Sequence, residues 1–113
     1  MSGITAHVLD LSVGRPAAGL RITLARGQGG PDFVEVTSVS TDRDGRVPDL
    51  TAGIGIDPGV YRITFESGAY FAARGQATLY PQVEVMFAVT ATEEHYHIPL
   101  LLSPFGYSTY RGS

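Results

Sequence analysis

The chain contains no cysteine and no lysine; its eight cationic residues are all arginine. Without cysteine, disulfides, thiolate metal sites and cysteine nucleophiles are excluded together, and redox chemistry gives no reading of the compartment. The arginines are scattered and the formal charge is -3, so there is no basic footprint and nucleic acid is not an expected partner. No run approaches the roughly 20 apolar residues that span a bilayer. The opening MSGITAHVLDLS has no basic region followed by an apolar stretch, so no membrane association is expected and the chain is expected to be cytoplasmic. A G-x-S-x-G nucleophile elbow is missing, and GQGGPD (27-32) does not lead into a helix whose amides could cradle phosphate. Internal repeats and low-complexity linkers are also missing.

What remains is a chain of 113 residues, 43% hydrophobic and 17% charged, the size of one domain and able to bury a core without staples. Residues 1-113 are therefore expected to form a single domain. Apolar and polar residues alternate in short segments between Gly, Pro and Asp, the pattern of an all-β sandwich or barrel. The alternation predicts strands at 4-12, 20-26, 34-41, 59-67, 83-90, 95-103 and 107-112. Turn chemistry marks VGRPAAG (13-19), GQGGPD (27-32), TDRDGRVPDL (41-50) and SPFG (103-106). SGAYFAARGQ (67-76) breaks the alternation and reads as one short helix, with Ser67 as N-cap and Gly75 as its C-terminal stop.

Side chains on a strand alternate between faces. In 95-103, Tyr96, Ile98, Leu100 and Leu102 share the core face, which leaves His95, His97, Pro99 and Leu101 outside. In 4-12, His7 shares the outer face with Leu9 while Ile4, Ala6 and Val8 point inward. Apolar residues beside histidines on an outer face predict a surface covered by another subunit.

Histidine is the side chain best suited to proton transfer near neutral pH, and there are three: His7, His95 and His97. A His-x-His pair on one strand face could also ligate zinc, with His7 as a third ligand, but no carboxylate spacing supports such a site and no metal is expected. The plainer alternative leaves these histidines as strand-end or satisfied core residues. It leaves Arg46 as a solvated turn arginine, Asp44-Gly45 as a turn, Tyr110 as a strand aromatic, and Arg111, Gly112 and Ser113 as a frayed end.

Three blocks, AHVLDLSVGRPAAGL (6-20), TDRDGR (41-46) and HYHIPLLLSPFGYSTYRGS (95-113), resemble the transthyretin-related family, and specifically its 5-hydroxyisourate hydrolase branch. The resemblance runs through essentially the whole chain in order, and the terminal YRGS is its most specific mark. It implies a transthyretin-like β-sandwich of two four-stranded sheets with one short helix. The eighth strand would then lie in 47-58 or within 27-41. It further implies a homotetramer, a dimer of dimers, with sites at the dimer-dimer interface, and hydrolysis of 5-hydroxyisourate to 2-oxo-4-hydroxy-4-carboxy-5-ureidoimidazoline without a cofactor.

The functional positions of the branch fall on His7, Arg46, His97 and Ser113 as catalytic residues. The same four, with Tyr110, Arg111 and Gly112, are the implied substrate contacts. The chemistry needs a base to activate water, a cation to stabilise developing negative charge, and groups to hold the ring. A histidine pair and an arginine fork fit the first two needs, with the choice of base between His7 and His97 left open. Arg111 alternates away from Tyr110 and could instead brace the C-terminal segment by a salt bridge, and His95 is expected to support the site. A carrier of a small aromatic ligand is the alternative from the binding class, and a structural interaction module a third.

Overall fold

The alternating segments become two β-sheets in the computed structural model, which describes residues 3-51, 53 and 55-113. Their elements are β1 (Gly3–Asp10), β2 (Arg15–Pro16), β3 (Arg21–Gly27), β4 (Phe33–Ser40), β5 (Arg46–Val47), β6 (Gly59–Phe65), α1 (Ser67–Ala72), β7 (Val83–Val89), β8 (His95–Ser103) and β9 (Gly106–Thr109). One sheet has the order β2-β1-β8-β9, with β5 also paired to β1; the other has the order β4-β3-β6-β7. The architecture is an all-β, transthyretin-like sandwich.

The inner faces are those the alternation indicated. Ile4, Val8, Leu100 and Leu102 meet Ile22, Leu24, Ile63, Phe65 and Val83 in one core, and α1 adds Phe71. Each such side chain, fully withdrawn from water, contributes about 1.5–3 kcal/mol. β1 and β8 run parallel at the centre of their sheet, with Thr5 opposite His97 and His7 opposite Pro99. Parallel partners point to the same side, so Thr5, His7, His95, His97 and Pro99 all stand on the outer face.

Four local features differ from the sequence expectation. β2 forms inside the 13-19 turn and β5 begins at Arg46, just before the 47-58 stretch, and together they bring the sheet around β1 to five strands. Ala52 and Ile54 of that stretch lie outside the described residues. The N-cap of α1 is Glu66, not Ser67, and its side chain makes no capping bond; the buried Ser67 hydroxyl donates to the Tyr80 carbonyl at 3.3 Å. The helix ends at Ala72, but Gly75 is its stop, with φ +69° and the Gly75 and Gln76 amides donating to Ala72 and Phe71 at 3.1 and 3.0 Å. Finally, β9 ends at Thr109 where a strand to 112 was expected. The register would pair Tyr110 with Pro99, whose nitrogen has no hydrogen to donate, and the Pro99 carbonyl accepts from the Thr109 hydroxyl at 2.7 Å instead.

One core position is charged. Asp10 ends β1 on the inner face with no exposed surface, and it accepts hydrogen bonds from the Tyr70 hydroxyl at 2.7 Å and the Ser12 amide at 2.9 Å. Burial and the Asp10 carboxylate push the Tyr70 phenol up to about 12, which keeps it a donor throughout the neutral range. Tyr70→Phe strands one buried carboxylate oxygen, so a loss of about 1–3 kcal/mol in denaturant unfolding is expected. A smaller loss would mean that water replaces the phenol.

Candidate active site

The TDRDGR turn brings an arginine to the outer face of β1. Asp42 caps the turn: its carboxylate accepts from the Asp44 and Arg46 amides at 2.8 and 3.0 Å, and its own amide donates to the Arg46 carbonyl at 3.0 Å. Those two amides hold the Asp42 carboxyl below its ordinary value, with the Arg46 amide the larger cause. Gly45 lets the turn press against β1. Its φ is +73°, its carbonyl accepts from the Val8 amide at 2.8 Å, and a Cβ there would meet the Val8 carbonyl. Arg46 then pairs with His7 across the β5–β1 ladder.

The other side of the site comes from β8 and the chain's last residues. Gly112 falls on the register set by β9 and bridges His97, donating its amide to the His97 carbonyl at 2.8 Å. A Cβ on Gly112 would come within 2.5 Å of His97 Cδ2 and 3.1 Å of Pro99 Cγ, so only glycine lets the backbone lie this close to the ring. The opposite contact is Thr5, whose Oγ1 lies 2.7 Å from His97 Nδ1 and 3.1 Å from His95 Nε2. His97 is thus fixed by one hydroxyl and one glycine, with its Nε2 unbonded among the described residues.

Between these walls lies an open cleft of about 290 Å³ lined by Thr5, Ala6, Arg46, Val47, Pro48, His95, His97 and Ser113. His7 stands beside it, its ring centroid 6.5 Å from that of His97, with the planes within 28° of each other. Its Nε2 lies 3.1 Å from the Asp44 carbonyl. A carbonyl only accepts, so Nε2 carries the hydrogen and Nδ1 the lone pair. The Arg46 guanidinium makes no hydrogen bond or ion pair among the described residues, so its donors are open to a ligand. Both histidines are held below the ordinary imidazole value of 6.5, chiefly by burial and next by the Arg46 guanidinium; His97 also feels the charges that His7 and His95 would carry. Neutral imidazoles beside an unpaired guanidinium can remove a proton and stabilise an anion in one place.

Of the residues singled out from the sequence, His97, Arg46 and Ser113 share the cleft, His7 adjoins it, and Gly112 backs His97. Arg111 turns elsewhere: it pairs with Glu94 at 2.9 Å, donates to the His95 carbonyl at 3.2 Å, and lies over the Tyr96 ring at 4.3 Å. With Tyr110, which is exposed, it lines a separate hollow of about 280 Å³ between β7, β8 and β9. Thr5 was not singled out; its only sequence signal is that it shares a strand face with His7. Among the described residues no group of three or more His, Asp or Glu side chains is arranged to hold a metal ion, and no helix is long and apolar enough to cross a membrane.

Comparison with known proteins fits this geometry. The family model described as HIUase/Transthyretin family matches residues 4–112. A 5-hydroxyisourate hydrolase of Mus musculus is 43% identical over 113 residues, covering 99% of this chain and 96% of that protein. The structure of Klebsiella pneumoniae 5-hydroxyisourate hydrolase superimposes with a TM-score of 0.88 at 33% identity, covering 99% of this chain and 100% of that one. Sea bream transthyretin in complex with thyroxine superimposes with a TM-score of 0.90 at 27% identity, covering 96% and 93% of the two chains.

Proposed function

Because the chain belongs to the HIUase/transthyretin family, we infer that it is an enzyme, a 5-hydroxyisourate hydrolase acting in urate degradation, with residues 1-113 as one hydrolase domain. The observation that carries the chemistry is the cleft in which the unpaired Arg46 guanidinium meets the neutral imidazole of His97, with His7 alongside. The substrate is a planar bicycle of carbonyls and ring nitrogens. Water attacks a ring carbonyl as His97 or His7 takes its proton, and Arg46 donates to the oxygen that becomes negative. The tetrahedral adduct then collapses, the ring C–N bond breaks, and the departing nitrogen takes a proton back, giving 2-oxo-4-hydroxy-4-carboxy-5-ureidoimidazoline. Ser113, at the cleft wall, orients water or substrate; Gly112 fixes the His97 ring; Tyr110 and Arg111 reach substrate only if a neighbouring subunit brings it to their hollow. No metal or other cofactor enters this scheme.

The same reading makes the chain a homotetramer whose sites lie between dimers, in the cytoplasm. Two observations support the assembly. Leu9 and Leu101 share the outer face with the histidines, and Leu11, Val13, Phe105 and Tyr110 are each more than half exposed. Among the described residues the strands β7 and β9 each pair on one side only, which leaves open edges for a second copy. Light scattering at assay concentrations tests the tetramer. The carrier alternative draws on the likeness to the thyroxine complex, but the unpaired arginine beside two depressed histidines is a reactive arrangement that a passive pocket does not need.

The test is a coupled assay. A urate oxidase generates 5-hydroxyisourate, this protein is added, and its near-ultraviolet decay is compared with spontaneous hydrolysis. Acceleration proportional to protein is expected; a folded protein that leaves the decay unchanged would refute the hydrolase reading.

A further inference from the structure

Thr5 has one hydroxyl and two imidazole neighbours, and that arithmetic restricts where protons can sit. When Thr5 gives its single hydrogen to one of the neutral rings, it accepts from the other; accepting from both would leave that hydrogen to a third group. With the hydroxyl donating to His95 Nε2, His97 carries its hydrogen on Nδ1 and presents a bare Nε2 to the cleft. With the directions reversed, His97 carries hydrogen on Nε2 and Nδ1 accepts. The distances of 2.7 Å to His97 and 3.1 Å to His95 allow either arrangement.

A proton taken by His97 alone would place an imidazolium where burial, Arg46, His7 and His95 all disfavour it. His95 stands in the open: it is exposed, and Glu94, just before it in the chain, carries a negative charge already shared with Arg111. The groups facing His97 are Arg46 from β5, His7 and Thr5 from β1, and His95 from β8; those near His95 are Thr5, Arg111, Glu94 and Ser113 across the cleft. Moving the charge outward by one ring relieves the conflict with Arg46.

We propose that Thr5 and His95 form a proton relay behind His97, with Thr5 as the positioning residue. The proposal rests on the hydrolase reading for its use, though not for its existence. As Nε2 of His97 takes a proton from the attacking water, Nδ1–H passes its proton to the Thr5 oxygen, and the Thr5 hydroxyl proton passes to His95 Nε2. The products are a hydroxyl bonded to the substrate carbon, a neutral His97 hydrogenated on Nε2, an unchanged Thr5 hydroxyl, and an imidazolium at His95. Three protons have each moved one place, and the unit of charge has crossed to an exposed ring. His97 is then ready to give its Nε2 hydrogen to the departing ring nitrogen as the relay runs back.

Thr5→Val keeps the shape and β-branching but removes the hydroxyl, and Thr5→Ser keeps the hydroxyl. Thr5→Val is expected to lower kcat by about 10–100-fold, a part of the ~10²–10⁴-fold that a general base supplies, with little change in KM. Thr5→Ser should stay within about threefold of the parent. His95→Phe should match Thr5→Val, and the double variant should lose no more than either alone, because both cut the same chain. A second readout needs no substrate: ¹⁵N spectra of the imidazoles should show the His97 tautomer population following the titration of His95 in the parent and not in Thr5→Val. Full kcat in Thr5→Val, or multiplying losses in the double variant, would overturn the relay. So would a His97 tautomer indifferent to His95. If the tautomers are coupled but the parent does not accelerate 5-hydroxyisourate decay, the hydrogen-bond relay stands and the hydrolase reading falls.

Discussion

His97→Ala is expected to reduce kcat by about 10²–10⁴-fold with the fold intact, the full range a positioned base contributes. The size of the loss follows from how completely His97 is placed. Gly112 leaves no room on one side of the ring, Thr5 holds Nδ1 at 2.7 Å, and burial with Arg46 keeps the ring neutral near pH 7. A side chain held this way has already lost the rotamer freedom that a mobile histidine would lose in the transition state. The outward face of β8 adds nothing to the hydrophobic core, so the variant should unfold at nearly the parent's denaturant midpoint. The measurements are the coupled assay and a denaturant melt on the same preparation. If kcat falls by less than tenfold, the base is elsewhere, and His7 with its lone pair on Nδ1 becomes the candidate. A fall in stability matching the fall in rate would instead make His97 a structural residue.

How much of this could be read beforehand depended on the range of the interaction involved. Period-2 alternation is local, so the inward set Tyr96, Ile98, Leu100 and Leu102, each at most 5% exposed, was legible, as was the outward placement of His95 and His97. β5 was not legible as a strand, because two residues become a strand only by pairing with β1 some forty residues earlier. Ser67 looked like an N-cap because a serine before alanines usually is one; here its hydroxyl is drawn away to the Tyr80 carbonyl. The end of β9 depended on Pro99, a proline whose missing hydrogen matters only once the hairpin has folded across it. The histidines, the arginine and the YRGS terminus were visible as residue types and through a family likeness. Thr5 was invisible by contrast, since a threonine in a strand needs no explanation until the parallel register sets it opposite His97.

Arg46→Lys is expected to lower kcat/KM by about 10²–10³-fold, close to the loss for Arg46→Ala and to the usual effect of removing a donor aimed at an oxyanion. Lysine keeps the charge but not the planar fork, and a fork is what grips the adjacent carbonyl and ring-nitrogen edges of a flat polar bicycle. The turn that carries Arg46 is fixed by backbone contacts to Asp42 and Val8, so its frame should survive either substitution and only the head group should change. The two variants separate in their pH profiles. Arg46 is the second cause, after burial, of the depressed values of His7 and His97. In the parent, protonation of the base therefore sets an acid limb in kcat/KM with an apparent value below 6.5, the unperturbed imidazole value. A depressed base is unprotonated, hence active, at a lower pH than a free imidazole. Removing the charge in Arg46→Ala should move that limb upward toward 6.5, whereas Arg46→Lys, which retains a cation near the rings, should leave it low. Limbs that stay at the parent's position in both variants would show that the Arg46 charge does not depress the histidines. Recovery of the parent rate by lysine would show that Arg46 acts as a point charge, with no directed contact to the substrate.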